Sequence, residues 1–178
     1  MYYSATGTGY ISTPSFAIPN TGTITVEAWM KSQLSTTMQQ TIIGEGSGST
    51  TVGYIWTHRL SNSNTFYFEY NDGTQRREST SANFFQNLDN QWIHIVVVCD
   101  YTNKTIKSYR NGIQYGVTYN MIGTPAFPLT DRVKYIGAYS PSSYRLTDGS
   151  LDEVRIYNRG LSAEEVAVRY NSTRGRYQ

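Results

Sequence analysis

Short runs rich in Ile, Val, Thr, Tyr, Phe and Trp recur along the chain, separated by Gly, Asn, Asp and Ser. Runs of this length and composition are typical of β-strands joined by turns. The predicted strands are Gly9–Thr13, Thr23–Lys31, Gln40–Gly44, Gly53–Leu60, Thr65–Asn71, Gln75–Thr80, Gln91–Asp100, Thr105–Arg110, Ile113–Tyr119, Arg132–Gly137 and Ser150–Tyr157. With no internal repeat or low-complexity linker, the sequence predicts one all-β domain over residues 1–178.

Alternation within these runs indicates that the strands have two different faces. In Thr23–Lys31 one face carries Ile24, Val26, Ala28 and Met30, and the other carries Thr25, Glu27, Trp29 and Lys31. Two such faces are typical of a sheet packed on one side or of a layered sandwich.

Two turns and one helix are also predicted. Asn111-Gly112 and Asp72-Gly73 each lie between strand-like runs and favour two-residue hairpin turns, because both residue types tolerate positive φ. Ser162, followed three residues later by Glu165, forms a capping box. We expect a short helix over residues 162–170, with Leu161 and Val166 as its hydrophobic staple.

Composition indicates a chain that folds on its own core. A compact domain of 178 residues buries roughly 70% of the surface of its unfolded chain, so neither a disulfide nor a metal is needed. The single cysteine, Cys99, ends an apolar run and is predicted to be a buried apolar side chain.

Charge and hydropathy argue against two classes of partner. The net charge of +2 is too small to indicate nucleic acid binding. We expect no membrane insertion, because no apolar run approaches the ~20 residues that a span requires. The opening residues Met1-Tyr2-Tyr3-Ser4 have neither a basic start nor an apolar core, so we expect no secretory signal.

The segment Gly149–Val166 has the sequence G-S-L-D-E-V-R-I-Y-N-R-G-L-S-A-E-E-V. It resembles the closing signature of laminin-G-like jelly-roll domains of the concanavalin A-like lectin/glucanase superfamily. Thr23–Lys31 is similar to an early strand of that family, and Trp92–Val98 with Lys107–Gly112 is similar to its central hairpin. The resemblance implies a two-sheet antiparallel jelly-roll sandwich with one short C-terminal helix. Members of that family have diverse functions, so the resemblance leaves glycan binding, adhesion, protein interaction and structural roles on virus surfaces open.

We predict no catalytic residues and expect a protein that is not an enzyme. Glycoside hydrolases of the wider superfamily need two carboxylates at a fixed separation on one face. Asp152 and Glu153 are adjacent, and adjacent strand residues point to opposite faces. Glu69 and Glu78 are isolated in sequence, and only the fold decides whether they meet.

Asp152 is predicted to share the core-facing side of its strand with Val154 and Ile156. A buried carboxylate needs a partner, because burying it alone costs several kcal/mol. The resemblance implies either backbone N–H groups or a calcium ion. Relatives hold calcium near an N-terminal turn, with an acid where this chain has Thr6. We expect no required cofactor, with calcium at Asp152 and Thr6 as the alternative.

Four residues are predicted to contact a ligand. Trp56 lies in the strand Gly53–Leu60, and Tyr139, Tyr144 and Arg145 lie in a polar loop before the closing signature. Recognition in sandwiches is concentrated in loops, and an aromatic ring offers a flat face to a sugar. The alternative is that Trp56 belongs to the core and the tyrosines cover the sandwich.

Two classes of function follow. Our hypothesis is a binding or assembly protein, a structural or decoration component of a virus or phage particle surface. It would act as a homo-oligomer, a dimer or trimer, attached to a capsid or tail protein. The alternative is a carbohydrate-binding or adhesion module that recognises cell-surface glycans. Both place the chain on a virion surface or outside the cell, and the 16 tyrosines suit either.

Overall fold

The structure, a computed structural model, consists mainly of strands joined by turns. It describes residues 3–6, 9–17, 22–34, 39–45, 55–59, 61–71, 76–123, 133–146 and 148–177. The strands are β1 Tyr3–Thr6, β2 Ile11–Ser12, β3 Thr23–Ser32, β4 Gln40–Gly44, β5 Ile55–Arg59, β6 Phe66–Asn71, β7 Arg76–Ser81, β8 Trp92–Asp100, β9 Thr105–Arg110, β10 Ile113–Gln114, β11 Tyr119–Asn120, β12 Tyr135–Ile136, β13 Ala138–Ser140, β14 Ser143–Arg145 and β15 Asp148–Tyr157. The helix α1, Ala163–Thr173, continues into a 3-10 turn, Arg174–Arg176.

The strands form two antiparallel sheets and one separate hairpin. Sheet A has the order β1-β15-β3-β8-β9-β10, with β11 also paired to β9. Sheet B has the order β2-β12-β4-β5-β6-β7, and β13 pairs with β14. The predicted two-sheet antiparallel sandwich with one short C-terminal helix is confirmed.

The core lies between the two sheets. The predicted inward face of β3 is buried through Ile24, Val26, Ala28 and Met30. These side chains share one apolar cluster with Ile43 and Phe68 of sheet B. Cys99 is buried in the same cluster, as predicted, and burial raises the pKa of its thiol.

The opposite face of β3 is buried as well. Thr25, Glu27 and Trp29 are exposed by 0%, 1% and 2%. On this side of sheet A, Leu161 and Val166 from the helical end of the chain pack in one cluster with Val96 of β8. The helix therefore forms a third layer, and sheet A is covered on both faces.

The helix begins as predicted. Oγ of Ser162 accepts a hydrogen bond from the N–H of Glu165 at 3.2 Å, and Oε2 of Glu165 accepts one from the N–H of Ser162 at 2.9 Å. The helix runs to Thr173, past the predicted end, because its last turn is held by Trp29, whose Nε1 donates to Oγ1 of Thr173 at 3.0 Å. Across the described ranges, no helix has the length and apolar character that a bilayer crossing requires.

Glycines decide where two predicted strands end. The Asn111-Gly112 turn forms as predicted, with φ of 52° and 83°, whereas Asp72-Gly73 lies outside the described residues. The continuous strand predicted over Ile113–Tyr119 is wrong, because Gly116, with φ of 73°, separates β10 from β11. Gly137, with φ of 79°, ends the predicted strand Arg132–Gly137, and among the described residues of that stretch only those of β12 form a strand.

The stretch predicted as a polar loop before the closing signature is a hairpin. β13 contains Tyr139, and β14 contains Tyr144 and Arg145. Ala138 pairs with Arg145, and Ser140 pairs with Ser143. The loop prediction is wrong because backbone pairing between these short strands leaves no signal in the alternation of side chains.

A bulge in β15 reverses the predicted orientation of Asp152. Asp152 pairs with Trp29, on the helix-covered face of β3. The register then shifts before Arg155, and Glu153 in between has φ of 52°. One extra residue in a bulge changes the face of every residue beyond it. Asp152 is therefore not on the core-facing side with Ile156, and the prediction from strict alternation is wrong.

Candidate functional site

One buried carboxylate, that of Glu27, fastens α1 to sheet A. Its Oε2 accepts hydrogen bonds from the hydroxyl of Tyr157 at 2.5 Å and from Nε of Arg169 at 2.6 Å. Its Oε1 lies 3.0 Å from Nε2 of His94. These partners lie on β15, α1 and β8, so one side chain joins the helix to three strands of the sheet. We call these four residues the Glu27 anchor.

The donors in the anchor keep the Glu27 carboxylate charged. Burial raises its pKa, but hydrogen bonds from His94, Tyr157 and Arg169, with the charge of Arg169, outweigh burial and hold the pKa below its ordinary value of 4.5. Burial and the bond to Glu27 raise the pKa of Tyr157 to about 12. An ionised carboxylate only accepts hydrogen bonds, so Nε2 of His94 carries a hydrogen.

Beside the anchor, Trp29 packs against two tyrosines from the helical end of the chain. Its ring stacks on Tyr177 at 4.1 Å between centroids and on Tyr170 at 5.7 Å, with interplanar angles of 23° and 25°. The Tyr177 ring also contacts the ring of Trp92 at 5.0 Å. Offset and tilted pairs of this kind add roughly 0.5–1.5 kcal/mol each beyond the area they bury.

The bulge in β15 holds the end of the chain through two carboxylates. Oδ2 of Asp152 accepts a hydrogen bond from the hydroxyl of Tyr177 at 2.7 Å, and Oδ1 accepts one from the N–H of Glu153 at 2.8 Å. Oε1 of Glu153 pairs with Nη1 of Arg176 at 3.0 Å. Both adjacent acids thus contact the C-terminal segment. The expectation that they point to opposite faces is wrong, because the bulge breaks the alternation.

Between the sheet and this segment lies a cleft of about 390 Å³, which we call the C-terminal cleft. Its lining residues come from β3, the turn before β8, β8 itself, the β9–β10 turn, α1 and the segment after the 3-10 turn. They are Trp29, Asn90, Gln91, Trp92, Asn111, Tyr170 and Tyr177. Trp29 is buried and forms the floor, whereas Asn90 and Gln91 are exposed at the rim.

The chemistry of the cleft is aromatic and uncharged. Four of its lining residues are aromatic, although Trp29 is buried against Tyr170 and Tyr177, and three carry amide side chains that both donate and accept hydrogen bonds. Its volume lies near the lower end of the ~300–1,000 Å³ that is usual for small-molecule sites. Such a surface suits a polar, uncharged ring compound that stacks with one face and bonds through its edge.

The four ligand-binding residues predicted from the sequence are not among the described residues that line this cleft. The structure brings two of them near each other elsewhere. Gly44 of β4 pairs with Trp56, and a Cβ built on Gly44 would lie 2.6 Å from Cα of Tyr139. The backbone of β13 therefore passes close to β4, beside the strand of Trp56. A ligand role for Trp56, Tyr139, Tyr144 and Arg145 stays a prediction.

One feature of the sequence indicates the cleft, but the alternation of strand residues alone does not reveal it. Trp29 shares its strand face with Thr25 and Glu27, and a tryptophan on an otherwise polar face indicates that something covers it. Tyr170 and Tyr177 lie in a basic stretch that is typical of a solvated surface. Nothing local in the sequence connects them to Trp29.

The fold brings together one pair of carboxylates that the sequence left open. Glu69 on β6 and Glu78 on β7 are register partners, and Glu69 is buried. Directly paired strand residues have Cβ atoms roughly 4.5–5.5 Å apart. The expected absence of hydrolase activity therefore stays a prediction.

The residues considered for calcium do not fit one ion. Thr6 pairs with Asp148, which lies four residues before Asp152 on β15, or about 13 Å along a strand. Both carboxylate oxygens of Asp152 already accept hydrogen bonds from donors, which a cation would have to displace. Within the described ranges, no group of three or more His, Cys, Asp or Glu side chains is arranged to hold a metal.

A sequence model of the concanavalin A-like lectin/glucanases superfamily matches residues 5–167. No curated protein sequence matches the chain.

Similar solved structures include binding domains of botulinum neurotoxins. The serotype D binding domain has a TM-score of 0.69 at 15% identity, over 96% of this chain and 41% of that one. A structure of the type C neurotoxin, whose cell entry depends on interaction with two ganglioside molecules, has a TM-score of 0.61 at 16% identity, over 85% and 36%. The neurotoxin DC binding domain in complex with rat synaptotagmin II has a TM-score of 0.61 at 13% identity, over 85% and 36%. This chain spans less than half of each, and at these identities the likeness shows the fold alone.

Proposed function

The chain belongs to the concanavalin A-like lectin/glucanases superfamily, and we propose that it is a non-enzymatic carbohydrate-binding module whose ligand occupies the C-terminal cleft. One observation carries this proposal. The cleft combines four aromatic rings with three amide side chains in a single concave site. Rings stack on the apolar face of a sugar, and amides exchange hydrogen bonds with its hydroxyls.

The shape of the site supports the same ligand class. Trp29 is held as a floor by Thr173 and by the ring of Tyr177, so the site exists before any ligand arrives. Preorganisation of this kind lowers the cost of binding, because few side chains have to be ordered by the ligand. The similar type C neurotoxin depends on gangliosides, which are glycolipids, and this supports a sugar ligand for a relative of this fold.

We expect Trp92→Ala to weaken glycan binding by at least about tenfold while the protein remains folded. Trp92 is half-buried in the cleft and contacts Tyr177, so the substitution removes a stacking surface from the site. Aromatic anchors in binding sites commonly contribute roughly 2 kcal/mol or more. Screening on an array of immobilised glycans identifies a ligand, and calorimetric titration then compares the dissociation constants.

Tyr139→Ala is the matched control, because Tyr139 is a half-buried aromatic residue of β13 outside the cleft. Its affinity should equal that of the unmodified protein. If Tyr139→Ala weakened binding and Trp92→Ala did not, the proposed site would be wrong and the β13–β14 hairpin would take its place.

Assembly on a particle is the second candidate function. Ile113 and Val117 are 74% and 88% exposed on and beside β10, an edge strand of sheet A. Edge strands with exposed apolar side chains favour pairing with another chain. A role as a homo-oligomer on the surface of a virus or phage particle therefore stays a prediction. Light scattering after size exclusion tests it: a dimer or trimer is expected, and a monomer of 20.1 kDa that attaches to no particle would contradict it.

A further inference from the structure

The hydrogen-bonding groups of the C-terminal cleft are unevenly divided between donors and acceptors. The side-chain amide of Gln91 donates to the carbonyl oxygen of Asn87 at 3.1 Å, and that of Asn90 donates to Oε1 of Gln33 at 3.4 Å. The side-chain oxygens of Asn90 and Gln91 accept no hydrogen bond from the described residues. The rim of the cleft therefore presents two carbonyl oxygens as acceptors.

The Tyr177 hydroxyl strengthens this bias. Its hydrogen is donated to Oδ2 of Asp152 at 2.7 Å, so it is not directed to a ligand. Trp29 likewise donates its Nε1 hydrogen to Thr173. Asn111 provides the opposite polarity, because its Oδ1 accepts the N–H of His94 at 3.0 Å and its amide hydrogens remain as donors.

The lining residues of the cleft carry no formal charge. Two cations lie beside lining residues, Arg174 at 5.8 Å from the ring centre of Tyr170 and Lys31 as the register partner of Trp92, but neither lines the cleft. An anionic group placed in the cleft would face carbonyl oxygens at the rim, and none of the lining side chains is a cation that could compensate its lost hydration. A sugar hydroxyl has no such penalty, because it can donate to these oxygens.

On the basis of the proposed carbohydrate-binding function, we propose that the C-terminal cleft takes an uncharged sugar and discriminates against acidic ones, through the side-chain oxygens of Asn90 and Gln91. The hydroxyls of the sugar donate to these two oxygens, and one sugar oxygen accepts from the Asn111 amide. One face of the sugar lies on the rings of Trp92 and Tyr177. Gln91 is the residue at which charge selection is easiest to change, because it is exposed at the rim.

A matched pair of ligands tests the proposal. N-acetyllactosamine and its sialylated form share the same sugars and differ by one acidic residue. The neutral compounds that an array identifies are each compared in the same way with an acidic counterpart. We expect the full chain to bind the neutral member of a pair at least about tenfold more tightly, as a single uncompensated charge contact implies.

Two substitutions at Gln91 should shift this preference in opposite directions. Gln91→Arg places a cation at the rim and should reduce the preference for the neutral member about tenfold, whereas Gln91→Glu keeps an acceptor, adds a negative charge and should increase it. Calorimetric titration in low and physiological salt measures both, because screening by salt should weaken the shift.

The outcomes separate this inference from the proposed function. Equal or tighter binding of the acidic member, or a preference that Gln91→Arg and Gln91→Glu leave unchanged, overturns the inference and leaves carbohydrate binding in place. Failure of every neutral and acidic glycan to bind overturns both.

Discussion

Replacing Glu27 with alanine should destabilise the protein by roughly 3–5 kcal/mol, as expected when one member of a buried charged cluster is removed. The carboxylate is 1% exposed and accepts hydrogen bonds from Tyr157 and Arg169 while it lies beside His94. Its loss leaves these donors without their acceptor under α1. Urea unfolding followed by circular dichroism measures the change in the free energy of unfolding.

Glu164→Gln is the control for this substitution. Glu164 is an exposed carboxylate in the first turn of the same helix, where solvent screens its charge and its contribution to stability is small. A Glu27→Ala protein that loses no more stability than Glu164→Gln would show that the anchor does not hold the helix.

The effect of Glu27→Ala should also depend on pH. Because the pKa of the Glu27 carboxyl lies below its ordinary value of 4.5 in the folded protein, its stabilising contribution is complete above that pH. The contribution is lost as the pH falls through the lowered pKa. The difference in stability between the unmodified protein and Glu27→Ala should therefore be constant near neutral pH and shrink in acid.

Trp29→Ala should cost about 3–5 kcal/mol and should abolish glycan binding in the cleft. Trp29 is 2% exposed, stacks on Tyr170 and Tyr177, and donates a hydrogen bond to Thr173. Without the indole, Tyr170 and Tyr177 lose the ring on which they stack. Hydrogen exchange should show lost protection in α1, while strands on the inter-sheet core remain protected.

Phe68→Ala gives the comparison for Trp29→Ala. Phe68 is fully buried between the sheets, and its loss costs a similar free energy without changing the cleft. We expect Phe68→Ala to bind glycan normally at a temperature where it is folded. If the two variants lost binding equally under those conditions, the cleft would not be the site, and only general stability would connect Trp29 to binding.

The elements that sequence rules predicted depend on residues close together in the chain. The capping box joins Ser162 to Glu165, and the Asn111-Gly112 turn joins two adjacent residues with positive φ. Alternation along β3 predicted its core-facing side because each strand residue points away from its neighbours. Such rules need no knowledge of the rest of the fold, and here they were confirmed.

The site was not predicted because its residues are far apart in the sequence. Trp29 bonds to Thr173 across 144 residues, and Glu27 bonds to Arg169 across 142 residues. Each of these residues alone fits an ordinary role as a core, surface or helix residue. Only their juxtaposition makes a cleft and an anchor.

The sequence by itself determined an all-β sandwich, its main strands, its Asn-Gly hairpin and its capped C-terminal helix, because periodicity and turn chemistry act over a few residues. Only the tertiary structure decided that the second face of sheet A is covered by α1. It also decided that Asp152 lies beneath the chain end instead of in the core. The physical reason is that a one-residue bulge at Glu153 changes the face of a strand, and that packing of α1 on β3 joins segments more than 140 residues apart.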